Sequence, residues 1–309
     1  MKRTTIGGQA LIEGLMMIGP ENSAIAIRKA DGEIIVESKP LSKKSVFSKI
    51  PILRGAVNLV RQLVLGMKAL MYSVEFVELE DDKKAKPSKI DKFLEKILGD
   101  KLGDGAIYFS VVFALAFCIG LFILIPNIIA GFMNFNKEAA SGVIFYNLFE
   151  GLIRIILFFG YVVLASMMKD IKRIWEYHGA EHKTIHCYEH EEELTVENIK
   201  KYTTKHPRCG TSFMFLVMIV SILVFSFLGW NSIWINVLSR LLLMPLVAGI
   251  SYEILKLAGR SNLKIMGVIS APGMFFQCFT TKEPDDSQIE VAIAAFNGVR
   301  VDNREADKW

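Results

Sequence analysis

Histidine is missing from residues 1–177 and 207–309; all five histidines fall between His178 and His206. Imidazole chemistry is therefore confined to one segment. Cysteine is nearly as scarce, with Cys118, Cys187, Cys209 and Cys278 the only four, and Cys118 lies in an apolar stretch. That excludes a disulfide framework and leaves reduced thiols as the expectation. No basic run is interleaved with aromatics, and the formal charge is only +4, so nucleic acid is not an expected partner. No internal repeat or low-complexity tract stands out. The N-terminus MKRTTIGGQALIEGLMMIGP starts basic, but Gln9 and Glu13 interrupt its apolar part and no small-x-small cleavage site follows. It is expected to be retained.

What the chain does have is apolar length. Apolar residues make up 52%, charged residues 22%, and the mean hydropathy is +0.36, a mixture that suits a membrane protein with sizeable polar parts. Four stretches are long enough to cross a bilayer, which takes roughly 20 residues. Residues 105–126 carry no charge, 142–168 contain Glu150 and Arg154, 211–230 carry none, and 232–257 contain Arg240 and, near the end, Glu253. Residues 127–141 and the tight 230–232 turn hold one basic residue between them, Lys137. By contrast, 18 Lys/Arg precede the first stretch, 8 lie in 169–210 and 7 run from Lys256 to the end. The basic segments belong on the cytoplasmic side, which places both termini and the histidine segment there.

The expected fold is mainly α: a polytopic membrane protein with four transmembrane helices, an interfacial amphipathic helix and a small cytoplasmic β-containing cap. The cap covers residues 1–50, where Asp31-Gly32 marks a hairpin turn between strands over 23–28 and 33–38. Gly7-Gly8-Gln9 followed by residues 10–17 reads as another strand or tight-turn unit, in which Glu13 is either part of the cap or held as a ligand or base. Residues 51–104 hold the interfacial helix, from 53 to about 78, and a charge-dense linker. The polar residues Arg54, Asn58, Arg61, Gln62 and Lys68 leave a wide Leu/Val/Met face on that helix. Residues 105–168 and 211–258 carry the transmembrane pairs, and 169–210 form a cytoplasmic His/Cys loop into which the second span's helix continues. The tail, 259–309, has a sharp break at Ala271-Pro272-Gly273. A second helix over 288–296 follows, led by proline and acidic residues and packing on the cap.

Charges inside the bilayer need partners, because a lone ion near its centre costs at least ~3 kcal/mol. Glu150 and Arg154 are four apart on one helix face, and Glu150 and Arg240 match in depth, so an ion pair between spans is expected. A structural lock is preferred over an ion pathway, since a transporter would show more spans, internal repeats or broken helices.

The chemistry points to HGAEHKTIHCYEHEEELTVENIKKYTTKHPRCGTS, residues 178–212. His178, His182, His186 and His190 recur every four residues, one drifting stripe on a helix. His178 and His182 can share a metal, and His178-Gly179-Ala180-Glu181-His182 matches the H-x-x-E-H pattern of inverted zinc proteases. There the glutamate does not bind the metal but takes a proton from the attacking water. A third ligand fits best from another segment, with Cys209 or His206 the candidates and His186 or Glu13 additional ones. Cys209 precedes the third span's helix, whose positive end favours a thiolate. Cys209 paired with His206 or His178 as a nucleophile is the alternative use of the thiol. His190, among glutamates, and Cys187 read as surface and packing residues.

GGQALIEGLMMIGP, YHGAEHKTIHCYE, HPRCGTSF, APGMFFQ and TTKEPDDSQIEVAIAAF resemble the motifs of the YqhQ-like bacterial membrane family, a domain of unknown function labelled a predicted metal-dependent enzyme. The likeness covers about residues 5–300. It implies a multi-pass bacterial inner-membrane protein and singles out His178, Glu181, His182, His206, Cys209 and Glu13. Ile18 stands where the first motif usually carries a basic residue. The expected function is a metal-dependent hydrolase with a divalent ion, zinc by donor type, acting on lipid-linked or membrane-protein segments at the cytoplasmic bilayer surface. The rival is a non-catalytic membrane scaffold or assembly factor, with a structural metal or none.

Overall fold

Glycines bracket short runs of apolar and β-branched residues in the N-terminal segment, and those runs become a four-stranded antiparallel sheet. The strands are β1 (Gly7–Leu11), β2 (Gly14–Ile18), β3 (Asn22–Arg28) and β4 (Ile34–Pro40), in the order β1-β2-β3-β4. The helices follow as α1 (Leu53–Phe76), α2 (Leu102–Ile119), α3 (Ile125–Gly131), α4 (Ala140–Ser166), α5 (Lys169–Glu189), α6 (Val196–Lys200), α7 (Gly210–Phe225), α8 (Ile233–Arg260), α9 (Lys264–Thr280) and α10 (Asp286–Asn297). A π-helical turn, Gly120–Leu124, joins α2 to α3. This is a computed structural model, and it describes residues 3–42, 46–76, 102–133, 135, 139–228, 232–260, 264–301 and 306–307. Lys137, the charged linker over 77–101 and the turn at 229–231, on which the orientation argument drew, lie outside the described residues.

Two compact units divide the chain: 1–77 with 160–221 and 243–309, and 78–159 with 222–242. The first holds the sheet. Asp31-Gly32 turns the β3–β4 hairpin, with Gly32 at φ +88° and Arg28 paired to Ile34. Residues 10–17 form two strands rather than one, because Ile12 and Glu13 make a turn in which Glu13 takes the left-handed φ of 50°. Leu15, Met16 and Met17 are all buried, since β2 is covered on both faces. Leu15 and Met17 pack with Tyr177, Ala180, Ile289 and Phe296 of α5 and α10, whereas Met16 joins Leu11 and Ala69 of α1. Asp285 caps α10 with a reciprocal capping box to Gln288.

Helix α1 buries small residues and exposes large apolar ones. Gly55, Gly66, Ala69 and Ser73 are buried, while Val60, Leu63, Val64, Met67, Leu70 and Val74 are exposed. Its start is pinned to α8. Arg54 forks onto the Glu253 carboxylate, and the Ile52 N–H donates to Glu253 Oε1 at 3.2 Å. A Cβ on Gly55 would lie 2.8 Å from the Cα of Gly249, a close backbone approach that only glycine permits.

In the second unit, Pro126 has no N–H to give the Phe122 carbonyl, and the Arg154 Nε donates to that carbonyl instead, at 2.8 Å. Glu150 Oε1 accepts from Arg154 Nη2 at 2.7 Å, and its Oε2 accepts from Arg240.

Among the described residues three helices are long and apolar enough to cross a membrane: Phe109–Gly131, Ser141–Ser166 and Ile233–Arg260. Helix α7, Gly210–Phe225, is apolar but has 16 residues. Two expectations about continuity are corrected. The second span does not run on toward the histidines: α4 ends at Ser166, Met168 is extended at ψ 135°, and α5 is a new helix. Nor does Pro272 break the tail, because α9 runs unbroken through it. Next to it, Gly273 meets the backbone of Ser212, where a Cβ would come within 2.6 Å of the Ser212 Cα.

Candidate metal centre

The segment read as a His/Cys loop is, over 169–189, the buried helix α5. Its composition is polar, yet Tyr177 and every residue from Gly179 to Glu189 are buried. The sheet, α10, α6, residues 203–209 and residues 280–282 cover it. A polar helix can be enclosed only if its side chains find partners. Gly179 is what lets the 280–282 segment in, since a Cβ there would strike the Lys282 carbonyl.

Two histidines one turn apart carry the first cluster. The His178 Nδ1 is 2.8 Å from the Thr280 carbonyl, and the His182 Nδ1 is 2.5 Å from the Thr204 carbonyl. A carbonyl accepts only, so both rings carry a proton on Nδ1, and Nε2 is the atom left for a metal. This is how histidines that bind metals are oriented. The His178 Nε2 lies 3.1 Å from the Cys209 Sγ, and one donor atom from each of His178, His182 and Cys209 falls within 4.8 Å of the others. Burial lowers the His182 pKa to about 4. Burial works to raise the Cys209 thiol, but His182 and the Thr211 N–H, 3.3 Å from the sulfur, outweigh it and hold it below its ordinary value. Two imidazoles and an acidified thiol are a three-donor set that suits zinc, which takes four ligands.

Glu181 completes the site from the same helix. Its Oε1 accepts from the Gly8 N–H at 2.8 Å, and its Oε2 is buried with no hydrogen-bond partner among the described residues. Burial, opposed by His178, raises its pKa to about 7. Gly8 is needed for this contact, because a Cβ there would sit 2.5 Å from the Met16 carbonyl and 3.1 Å from the Glu181 Cδ.

His206 does not join that cluster but forms a second with His186 and Glu189. Here the cation is already supplied. Arg208 forms a buried ion pair with Glu189 Oε1 and stands 3.3 Å from the His206 Nε2. The Thr4 N–H also donates to Glu189 Oε1, at 2.7 Å, and the His186 Nε2 lies 2.9 Å from the Lys205 carbonyl. Burial lowers the His206 pKa to about 4, and burial lowers that of His186 as well. Burial works to raise the Glu189 pKa, but His206 and Arg208 hold it below the usual carboxylate range.

Glu13 is at neither cluster. It accepts a forked pair from Arg173 and lies 3.2 Å from the Tyr177 hydroxyl, so it ties the β1–β2 turn to the start of α5. The cap reaches Glu181 through the Gly8 N–H instead. His190 is exposed and Cys187 is buried, its thiol pushed up to about 11 by burial. Sequence reasoning missed Gln277, which accepts from the His206 N–H at 2.7 Å and donates to the His206 carbonyl at 2.8 Å. It also missed Arg208 and Gly8. All three stand inside motifs already set apart, but nothing in those motifs says what each one touches.

Residues 50–302 match the family described as protein of unknown function (DUF1385). The uncharacterized protein YqhQ of Bacillus subtilis (strain 168) is 37% identical over 305 residues, which cover 94% of this chain and 91% of the relative. No solved structure matches the chain.

Proposed function

The chain belongs to the DUF1385 family, and we propose that it is a metal-dependent hydrolase working at the cytoplasmic surface of a bacterial inner membrane. The observation that carries this reading is the His178–His182–Cys209 cluster, with both Nδ1 atoms facing carbonyls and, beside it, the Glu181 Oε2 that has no partner among the described residues. His178, His182 and Cys209 would hold the ion, and zinc fits the donors best. Bound there, it would supply Lewis-acid polarisation and make water acidic enough to lose a proton near neutral pH. Glu181 would take that proton at Oε2, while the Gly8 N–H keeps its other oxygen in place. A carboxyl with a pKa near 7 can both accept and return a proton.

We take α7 as the fourth membrane crossing, together with the three longer helices, and α1 as a helix lying in the bilayer interface. Support for the second assignment comes from its exposed row of Val60, Leu63, Met67 and Val74. Cys209 immediately precedes α7, so the site would lie at headgroup depth and favour lipid-linked or membrane-protein substrates.

Burial favours a second reading. Glu181, His182 and Cys209 are each less than a tenth exposed, as suits a structural ion in a non-catalytic scaffold. Metal analysis of detergent-purified protein separates the two. About one ion per chain, lost in His178→Ala/His182→Ala, supports the centre. Retention of that ion by Glu181→Gln, with loss of hydrolysis, supports the enzyme. A folded wild type that takes up no metal after reloading would defeat both metal readings.

A further inference from the structure

We propose that the second unit binds a small monovalent anion against Arg240. Among its described residues the buried charged side chains are Glu150, Arg154 and Arg240, so one carboxylate faces two guanidiniums. Both carboxylate oxygens are used, Oε1 by Arg154 and Oε2 by Arg240. The Arg154 Nε is bound to the Phe122 carbonyl. Arg240 is less well served. Its Nη2 reaches Glu150 and, at 3.4 Å, the Asn147 Oδ1, but its Nε and Nη1 are buried with no acceptor among the described residues.

A second unpartnered group lies close by. Asn127 is fully buried, and neither its Oδ1 nor its Nδ2 has a partner among the described residues. The Asn127 carbonyl accepts from the Tyr146 hydroxyl at 3.1 Å, and Tyr146 in turn interacts with Arg240 and Glu150. The Phe225 ring lies 5.5 Å from the Arg154 guanidinium carbon and 5.7 Å from that of Arg240. A ring face attracts both cations but carries no net charge. An excess of one positive charge, with Arg240 N–H donors and the Asn127 Nδ2 left over, needs a ligand that accepts hydrogen bonds and carries one negative charge. A bound water would satisfy the donors and leave the charge. Chloride, bromide and nitrate have the right chemistry.

The test is thermal unfolding of the full-length protein in non-ionic detergent, followed by intrinsic tryptophan fluorescence. Chloride, bromide or nitrate is titrated against gluconate at constant ionic strength. The wild type is expected to gain a saturable rise of roughly 2–6 °C with chloride, as for any ligand that binds only the folded state. Arg240→Gln leaves the neutral Glu150–Arg154 pair and should lose the response. Asn127→Asp supplies the missing charge from the chain itself; it should melt above the wild type in gluconate and ignore chloride. Equal melting of the wild type in all four salts would overturn the proposal, and so would a chloride response that survives in Asn127→Asp.

Discussion

Glu181 and Gly8, 173 positions apart in sequence, meet through a 2.8 Å hydrogen bond that fixes one oxygen of the carboxylate and leaves the other without a partner among the described residues. The contact depends on the absence of a side chain at Gly8. A methyl there would press on the Met16 carbonyl across the β1–β2 pair and on the carboxyl itself. Gly8→Ala should therefore destabilise the protein by about 1–3 kcal/mol, as overpacking does. If Glu181 is the proton acceptor, it should also cut turnover more than metal content. Melting and metal analysis of the variant check this, and unchanged stability would mean the strands can shift without cost.

The metal-free protein should show two opposite pH dependences. Burial raises Glu181 from an ordinary 4.5 to about 7, so its favourable contribution is complete at low pH and is lost as pH climbs through about 7. Burial lowers His182 from 6.5 to about 4; its contribution is present above 6.5 and is lost as pH falls toward 4. Glu181→Gln removes only the first. Relative to the wild type in chelator, the variant should gain about 1–3 kcal/mol between pH 5 and 8 while staying acid-labile. A difference that stays flat with pH in unfolding titrations would show that Glu181 is solvated in the folded protein.

Much of this cluster was legible in the sequence, because its donor side chains are rare residue types gathered in one segment. The spacing of His178, Glu181 and His182 and the placing of Cys209 before an apolar helix needed no coordinates. The Asp31-Gly32 hairpin and the docking of the last helix on the sheet were legible for a similar reason: turn chemistry and apolar periodicity are local signals. What was not legible depends on long-range backbone contact. The carbonyls of Thr204 and Thr280 orient the two histidines, and a carbonyl has no sequence signature. Glu13 could be read as part of the cap or as a ligand or base, because an acid inside an apolar run is conspicuous, and its pairing with Arg173 favours the cap. The polar composition of 169–189 suggested a solvated loop, because the partners that allow its burial come from four distant segments.

Arg208 and Glu189 form an ion pair with side chains 6% and 0% exposed, so neither charge can fall back on water. Arg208→Met should cost about 3–5 kcal/mol, chiefly by leaving the Glu189 carboxylate unpaired. Adding Glu189→Gln should recover part of that loss. A double-mutant cycle by chemical denaturation measures the coupling, and strictly additive losses would mean that His206 and the Thr4 N–H satisfy Glu189 unaided.

Glu150 holds both arginines of its unit, and that asymmetry makes the three charges unequal to remove. Arg240→Gln leaves an intact Glu150–Arg154 pair with its bond to the Phe122 carbonyl. Glu150→Gln leaves two guanidiniums beside one aromatic ring, with no carboxylate between them. The second variant should lose about 3–5 kcal/mol and the first clearly less, since breaking a buried pair from the side in deficit strands more charge. Thermal unfolding of both in the same detergent gives the ranking. If Arg240→Gln proved the more damaging, the weight would rest on its contact with Asn147 and not on neutralisation, and the lock would be a hydrogen-bonded one.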